Sequence, residues 1–369
     1  MRGSRMLAFV GSLNRAAPYF GAPRGRGIGV FAFDTATGAL ALLGETEGVD
    51  NPTFVRPAAD GRTLYATSEV YGWHEGVVAA WRIDPASGGL TYINQQPTRG
   101  SISAQASLHP GGRWLFVANY RMGAEGVRPS QAVVALPVAA DGGLGPVACG
   151  VVHAGSGPDP ARQEGPHPHC AVPSPDGRHV LVADLGIDRI VVYAFDDATG
   201  QLTPAGGVAL PPGTGPRHLG FTPSAAHVVV TGELANTVTA FAWRDGALTP
   251  LSSAPLLPPG WHGESHAADI AIAPDGRFVY ASNRGHDSIA VLSLDAAGRL
   301  APLGHQRTGR TPRSFALDPS GGFVLVAAQD GDTLAVFGRD AISGALHGPV
   351  AELAYGSPMC VRLAELRGA

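Results

Sequence analysis

The sequence has 369 residues with 51 Gly, 31 Pro, 44% hydrophobic and 15% charged residues, and a formal net charge of −4. All 26 basic residues are arginine, which excludes Schiff-base chemistry on a lysine, pyridoxal-phosphate enzymes and lysine-dependent phosphate loops, while the mildly acidic balance speaks against a nucleic-acid partner. The three cysteines, Cys149, Cys170 and Cys360, lack zinc or disulfide-framework spacing, and no apolar run approaches the roughly 18 residues that span a bilayer.

The chain opens on Leu7–Val10, too short for a signal-peptide core, so a soluble cytoplasmic protein is expected, with no membrane partner. Leu7–Gly11 reads as a strand that starts a unit at its second position, without an innermost strand of its own. Gly25-x-Gly27-x-Gly29 then leads into another strand rather than opening a helix, so it is no dinucleotide fingerprint. From Val55 a unit recurs: a short apolar strand, a Pro/Ser/Asp/Gly turn, and a second strand rich in Val. It reads V-R-P-A-A-D-G-R-T-L-Y-A-T from Val55, S-L-H-P-G-G-R-W-L-F-V-A-N from Ser107, and A-V-P-S-P-D-G-R-H-V-L-V-A-D from Ala171. It returns from Gly220, Ala271 and Phe315. The turn positions Asp60, Gly111, Asp176, Ser224, Asp275 and Ser320 recur at roughly 45–65 residues, the period of a propeller blade. Each unit continues with an alternating strand, such as Ile190–Phe195 or Ile289–Leu294, and a Gly-x-Leu or Gly-Leu turn. Seven such turns, from Gly38–Leu40 to Gly344–Leu346, predict seven blades of four strands. The spare strand Met359–Leu366 is expected to complete the first blade and close the ring. The fold class is thus all-β, a single seven-bladed β-propeller domain over residues 1–369, with irregular inserts at 14–27, 70–76, 120–129 and 154–165.

In such a blade the loops entering the innermost strand share one face with the loops joining the second and third strands. Function belongs where they converge on the axis. Seven residues before each hairpin turn stand Thr53, Ala104, His169, Arg217, Ala268 and Arg313. Three residues before the Asp or Asn that opens the third strand stand Leu185, Glu233, Arg284 and Gln329. The two registers gather His169, Arg217, Glu233, Arg284 and Arg313 around one volume, with Asp184, Asn283 and His286 nearby. Like charges at equivalent inner positions repel unless a carboxylate or an anionic ligand sits among them. Cys170 alternates away from the axis and reads as a small buried hydrophobe. No metal-ligand spacing is present, because His74-Glu75 continues with Gly76, so neither metal nor cofactor is expected.

The segments Gly165–His169 (G-P-H-P-H), Gly215–Phe221 (G-P-R-H-L-G-F), Gly232–Val238 (G-E-L-A-N-T-V), Ser282–Ile289 (S-N-R-G-H-D-S-I) and Thr311–Gly321 resemble those of the seven-bladed lactonase family. That family includes propeller-type 6-phosphogluconolactonases and fungal carboxy-cis,cis-muconate lactonizing enzymes. The resemblance runs from about Leu7 to Leu366. It implies catalytic roles for His169, Arg217, Glu233 and Arg284, and substrate contacts from Arg313, His286, Asp184, Asn283 and His167. The implied partner is a small anionic lactone, opened by activated water with a His/Glu acid-base and arginines on the oxyanion. A cycloisomerase acting on a muconate-type lactone and a non-catalytic interaction platform are the alternatives, the latter allowed by aromatics at Tyr19, Phe20, Tyr71, Trp73 and Trp261. The departures lie in 101–107 and after Asn119-Tyr120, where substrate identity would be decided. A monomer or weak homo-oligomer is expected.

Overall fold

The computed structural model describes residues 5–18, 20–121 and 130–366; Tyr19 and most of the insert after Tyr120 lie outside them. Four-stranded antiparallel sheets repeat seven times. Blade two runs Phe54–Pro57, Thr63–Ser68, Val77–Ile83 and Leu90–Pro97 from axis to rim. Blades three to seven repeat the order, with innermost strands Ser101–Leu108, Pro168–Pro173, Pro216–Phe221, His266–Ile272 and Pro312–Leu317. In blade one, Pro358–Leu366 is innermost and pairs antiparallel with Arg5–Ser12, followed by Ile28–Phe33 and Leu40–Thr46. The ends of the chain therefore close the ring, as the spare strand predicted. The one helical element among the described residues is a single 3₁₀ turn, Leu185–Ile187.

Sequence period explains the layering. Second strands such as His179–Asp184, which reads H-V-L-V-A-D, are near-continuous apolar runs because both faces press against neighbouring blades. Apolar clusters accordingly sit between blades: Val229, Val238 and Ala240 of blade five pack on Val279, Ala281 and Leu292 of blade six. Tyr280 and Val291 of blade six meet Phe315 and Val326 of blade seven. Outermost strands such as Leu346–Ala354 are mostly exposed.

Two recurring turns fix the faces. Three hairpin turns on the plain face are Asx turns: the carboxylates of Asp60, Asp176 and Asp275 accept from the backbone N–H two residues on. On the other face the residue opening the third strand is left-handed at Asp188, Asn236, Asp287 and Asp332, with φ of 52, 52, 51 and 51°, a conformation that Asp and Asn tolerate better than most residues. These side chains also latch onto the loop entering the next blade. Asp188 accepts from Gly213 and Gly215 N–H, Asp287 from Thr311 N–H, and Asp332 from Ser357 N–H. Asn236 donates to Ser265 C=O. The loops that carry the candidate residues are thus tied to each other around the axis.

Candidate functional site

The innermost strands do not pair regularly at their entry. The ladder shifts register around Ala104 in blade three, His169 in blade four, Arg217 and His218 in blade five, Ala268 and Asp269 in blade six, and Arg313 in blade seven. A β-bulge leaves a residue unpaired and re-aims its side chain. Here it turns the register read from the sequence into a ring of side chains directed at the axis.

Glu233 sits at the centre of that ring, 3% exposed. Its Oε2 lies 2.9 Å from Arg217 Nε and 2.8 Å from Arg284 Nη2, and its Oε1 is 2.5 Å from Arg162 Nη2. The Arg217 contact is an ion pair without hydrogen-bond alignment, and Arg217 Nη1 is buried with no partner among the described residues. Arg284 also donates to Ala267 C=O. Over this cluster opens a cavity of about 380 Å³, lined by His169, Glu233, Arg284, Arg313, Tyr120, His167 and Arg162 with Glu69, His266, Arg121 and Glu164. A wider groove of about 1380 Å³ on the plain face is lined by hairpin-turn residues such as Asp60, Pro110 and Gly111 and by Arg56, Arg62, Arg82 and Arg113, with none of these arginines ion-paired, among the described residues, to another lining residue.

Burial disfavours charge on Glu233, Arg217 and His169, and the arginines decide the rest. Burial alone would raise the Glu233 carboxyl, yet Arg284, Arg217 and Arg162 hold it well below the usual carboxylate range. Arg217 is pulled down to about 9 by burial and by the like charges of Arg284 and Arg313. Burial, then Arg217 and His218, push His169 well below the ordinary imidazole range, so its ring is neutral near pH 7. Its Nδ1 is enclosed and unpartnered among the described residues. Cys170, next in the chain, is buried the other way with its thiol raised to about 12, too high for a nucleophile. Five guanidiniums (Arg121, Arg162, Arg217, Arg284, Arg313) stand against three carboxylates (Glu69, Glu164, Glu233) in and beneath the cavity. The surplus is positive.

The structure brings His169, Glu233, Arg284, Arg313 and His167 to one cavity, and puts Arg217 directly under it. It does not bring Asp184, Asn283 or His286 there. Asp184 is fully buried, accepting from His167 and Gly186 N–H and paired with His153 at 2.6 Å. Asn283 donates to Leu256 C=O and Ser288 Oγ. His286 bonds Ser288 rather than Asp287 and packs on Trp261. The reason is strand alternation: Asp184 and Asn283 precede the axis-facing position by one residue and so face sideways into the blade. None of Phe20, Tyr71, Trp73 and Trp261 lines the cavity; Tyr120 does, stacked on His167 at 4.4 Å and edge-on to His169 at 5.6 Å. Arg162, Tyr120, Glu69 and His266 were not singled out from the sequence. Arg162 comes from the insert at 154–165, where no register applies, but a lone arginine in a loop overhanging an arginine-rich axis was its available signal. Among the described residues no group of three His, Cys, Asp or Glu side chains is placed to hold a metal ion.

Residues 8–363 match the family described as Lactonase, 7-bladed beta-propeller. A 6-phosphogluconolactonase of Bacillus subtilis is 34% identical over 340 residues, covering 91% of this chain and 94% of the relative. One from Formosa agariphila is 33% identical over 92% and 94%. Among solved structures, a periplasmic gluconolactonase of Pseudomonas aeruginosa superposes with a TM-score of 0.88 at 35% identity, covering 99% of each chain.

Proposed function

The chain belongs to the seven-bladed β-propeller lactonase family, and on that footing we propose that it opens the ring of an anionic sugar lactone by water attack, using its own side chains. What carries the reading is the pairing of a neutral, cavity-lining His169 with a carboxylate already saturated by three arginines. His169 takes a proton as the water oxygen bonds to the lactone carbonyl carbon. The carbonyl oxygen becomes an oxyanion against the guanidiniums of Arg284 and Arg313, where preorganised donors are worth about 3–4 kcal/mol each. Collapse breaks the ring C–O bond, and the imidazolium returns its proton to the departing ring oxygen, giving a hydroxy acid. Glu233 stays ionised throughout. It orients Arg284, Arg217 and Arg162 and offsets charge on the imidazolium, so it is neither acid nor base in this reading.

The surplus positive charge fits a substrate bearing a phosphate or carboxylate. Relatives are named 6-phosphogluconolactonase and a structural neighbour gluconolactonase, and a gluconolactone is common to both names. The cytoplasm and the periplasm that the neighbour's name gives are the two locations to separate, by fractionation. Among the described residues no helix is long and apolar enough to cross a membrane.

The test follows proton release at constant pH on glucono-δ-lactone and its 6-phosphate, in parallel with the absorbance of a carboxymuconate. Saturable hydrolysis of either lactone above background, lost in Arg284→Ala, is expected. Turnover of the muconate alone would move the assignment to a cycloisomerase, and no turnover of any of the three would leave the interaction platform.

A further inference from the structure

One layer below the ring, the bulges of blades five and six each hold a second unpaired residue, His218 and Asp269. His218 Nδ1 is 2.8 Å from Asp269 Oδ1. Asp269 Oδ2 accepts from Ser314 Oγ at 2.9 Å and from Arg362 Nη1 and Nη2 at 3.2 Å. Arg362 comes from the closing strand, so four blades converge on this carboxylate. Against the effect of burial, Arg362 and His218 hold Asp269 far below the usual range, and burial with Arg217 lowers His218 to about 4. An ionised carboxylate only accepts. The hydrogen of neutral His218 therefore sits on Nδ1, and its Nε2 carries a lone pair.

That Nε2 is buried without a partner among the described residues, and so is Nδ1 of His169. The two imidazoles are neighbours, with ring centroids 5.2 Å apart at 73°. Ring nitrogens stand out from the centroids by a little over an ångström, so a turn of the rings that faces the two brings them to roughly 3 Å, hydrogen-bond distance. Buried polar atoms are rarely left unpaired, and here each orphan is the complement of the other.

We propose that Asp269 and His218 fix the tautomer of His169: His218 Nε2 accepts the Nδ1–H of His169, which leaves the Nε2 lone pair of His169 for the cavity. Both are positioning residues, acting on the substrate only through His169. No proton leaves His169 toward His218; the hydrogen bond orients the ring and stabilises the imidazolium formed when water is deprotonated. The kinetic consequence rests on the lactonase reading, whereas the tautomer does not.

The experiment records imidazole ¹⁵N shifts of the labelled full chain, with His169 assigned by difference against His169→Gln. The expected signature is a protonated Nδ1 and an unprotonated Nε2 on His169. In Asp269→Asn the amide donates to His218 Nδ1, and both tautomers reverse; kcat falls about a hundredfold or more, as for other wrong-tautomer variants, with KM changed less than about threefold. His218→Gln, whose amide donates to Asp269 and whose carbonyl accepts from His169, keeps the His169 signature and most of the activity; His218→Leu loses both. Should Asp269→Asn fail to fold, the His218 pair decides. A protonated Nε2 on His169 in the unmodified protein, or an unchanged His169 signature in His218→Leu, overturns the proposal whether or not any lactone is hydrolysed.

Discussion

Arg217 and Glu233 meet beneath the cavity floor, Nε to Oε2 at 2.9 Å, with side chains only 2% and 4% exposed. Arg217 does not reach the main cavity, while Arg284, on the same carboxylate oxygen, does. The two arginines to which the family resemblance gives catalytic roles thus have different expected roles: Arg217 sets the carboxylate and Arg284 meets substrate. Arg284→Ala should lower kcat/KM by about two to three decades through loss of an oxyanion donor. Arg217→Ala should cost a similar factor in kcat and also stability, about 3–5 kcal/mol for leaving a buried charge cluster broken. Steady-state kinetics with urea unfolding of both variants separate them. Equal urea midpoints and equal kinetics in the two would contradict the division.

The base should remain active below neutral pH. A lowered pKa means that His169 keeps its lone pair as pH falls, so kcat/KM should stay level through the ordinary imidazole midpoint near 6.5 and drop only well below it. A half-maximal point near 6.5, after subtraction of spontaneous hydrolysis, would place the base elsewhere. Stability follows the proton of the neighbouring buried imidazole, His218. The unfolded chain binds a proton at His218 below 6.5 while the folded one does not until about 4, so Tm should decline across that window as pH falls.

Cys170 should be dispensable. With its thiol raised to about 12 and its side chain 1% exposed, Cys170→Ala should retain kcat within about twofold, losing at most packing. Iodoacetamide should alkylate the half-buried Cys149 first without inhibiting. Inhibition that tracks modification of Cys170 would revive a covalent route.

Removing the closing strand should abolish folding. Pro358–Leu366 buries Met359, Cys360 and Val361 almost completely and supplies Arg362 to Asp269. At about 1.5–3 kcal/mol per buried apolar side chain, its loss rivals the 5–15 kcal/mol stability of a typical domain. A chain ending before Pro358 should show no cooperative thermal transition in circular dichroism. A cooperative transition within a few degrees of the full chain would mean the ring does not depend on it.

Blade number, closure and the two inner registers were legible because turn chemistry repeats: Asx hairpins mark three units on one face, at Asp60, Asp176 and Asp275, and left-handed Asp or Asn marks blades four to seven on the other. His169, Arg217, Glu233, Arg284 and Arg313 could be read by counting from those marks. Side-chain direction one residue away could not be. Asp184 and Asn283 look adjacent to the site in sequence, yet alternation and the 3₁₀ turn commit them to the backbone of the loops. Arg162 and Tyr120 belong to inserts or strand ends where the repeat no longer dictates position. His218 and Asp269 were hidden for another reason: a bulge of two residues, which the count of one per blade does not foresee, turns both toward the axis.

The most direct measurement is a crystal structure with 6-phosphogluconate or the unphosphorylated aldonate soaked in. The carboxylate of the product should lie between Arg284 and Arg313 with one oxygen facing His169. Density for the acid only in the groove by Asp60 and Gly111, with the arginine funnel empty, would contradict an active site at the propeller axis.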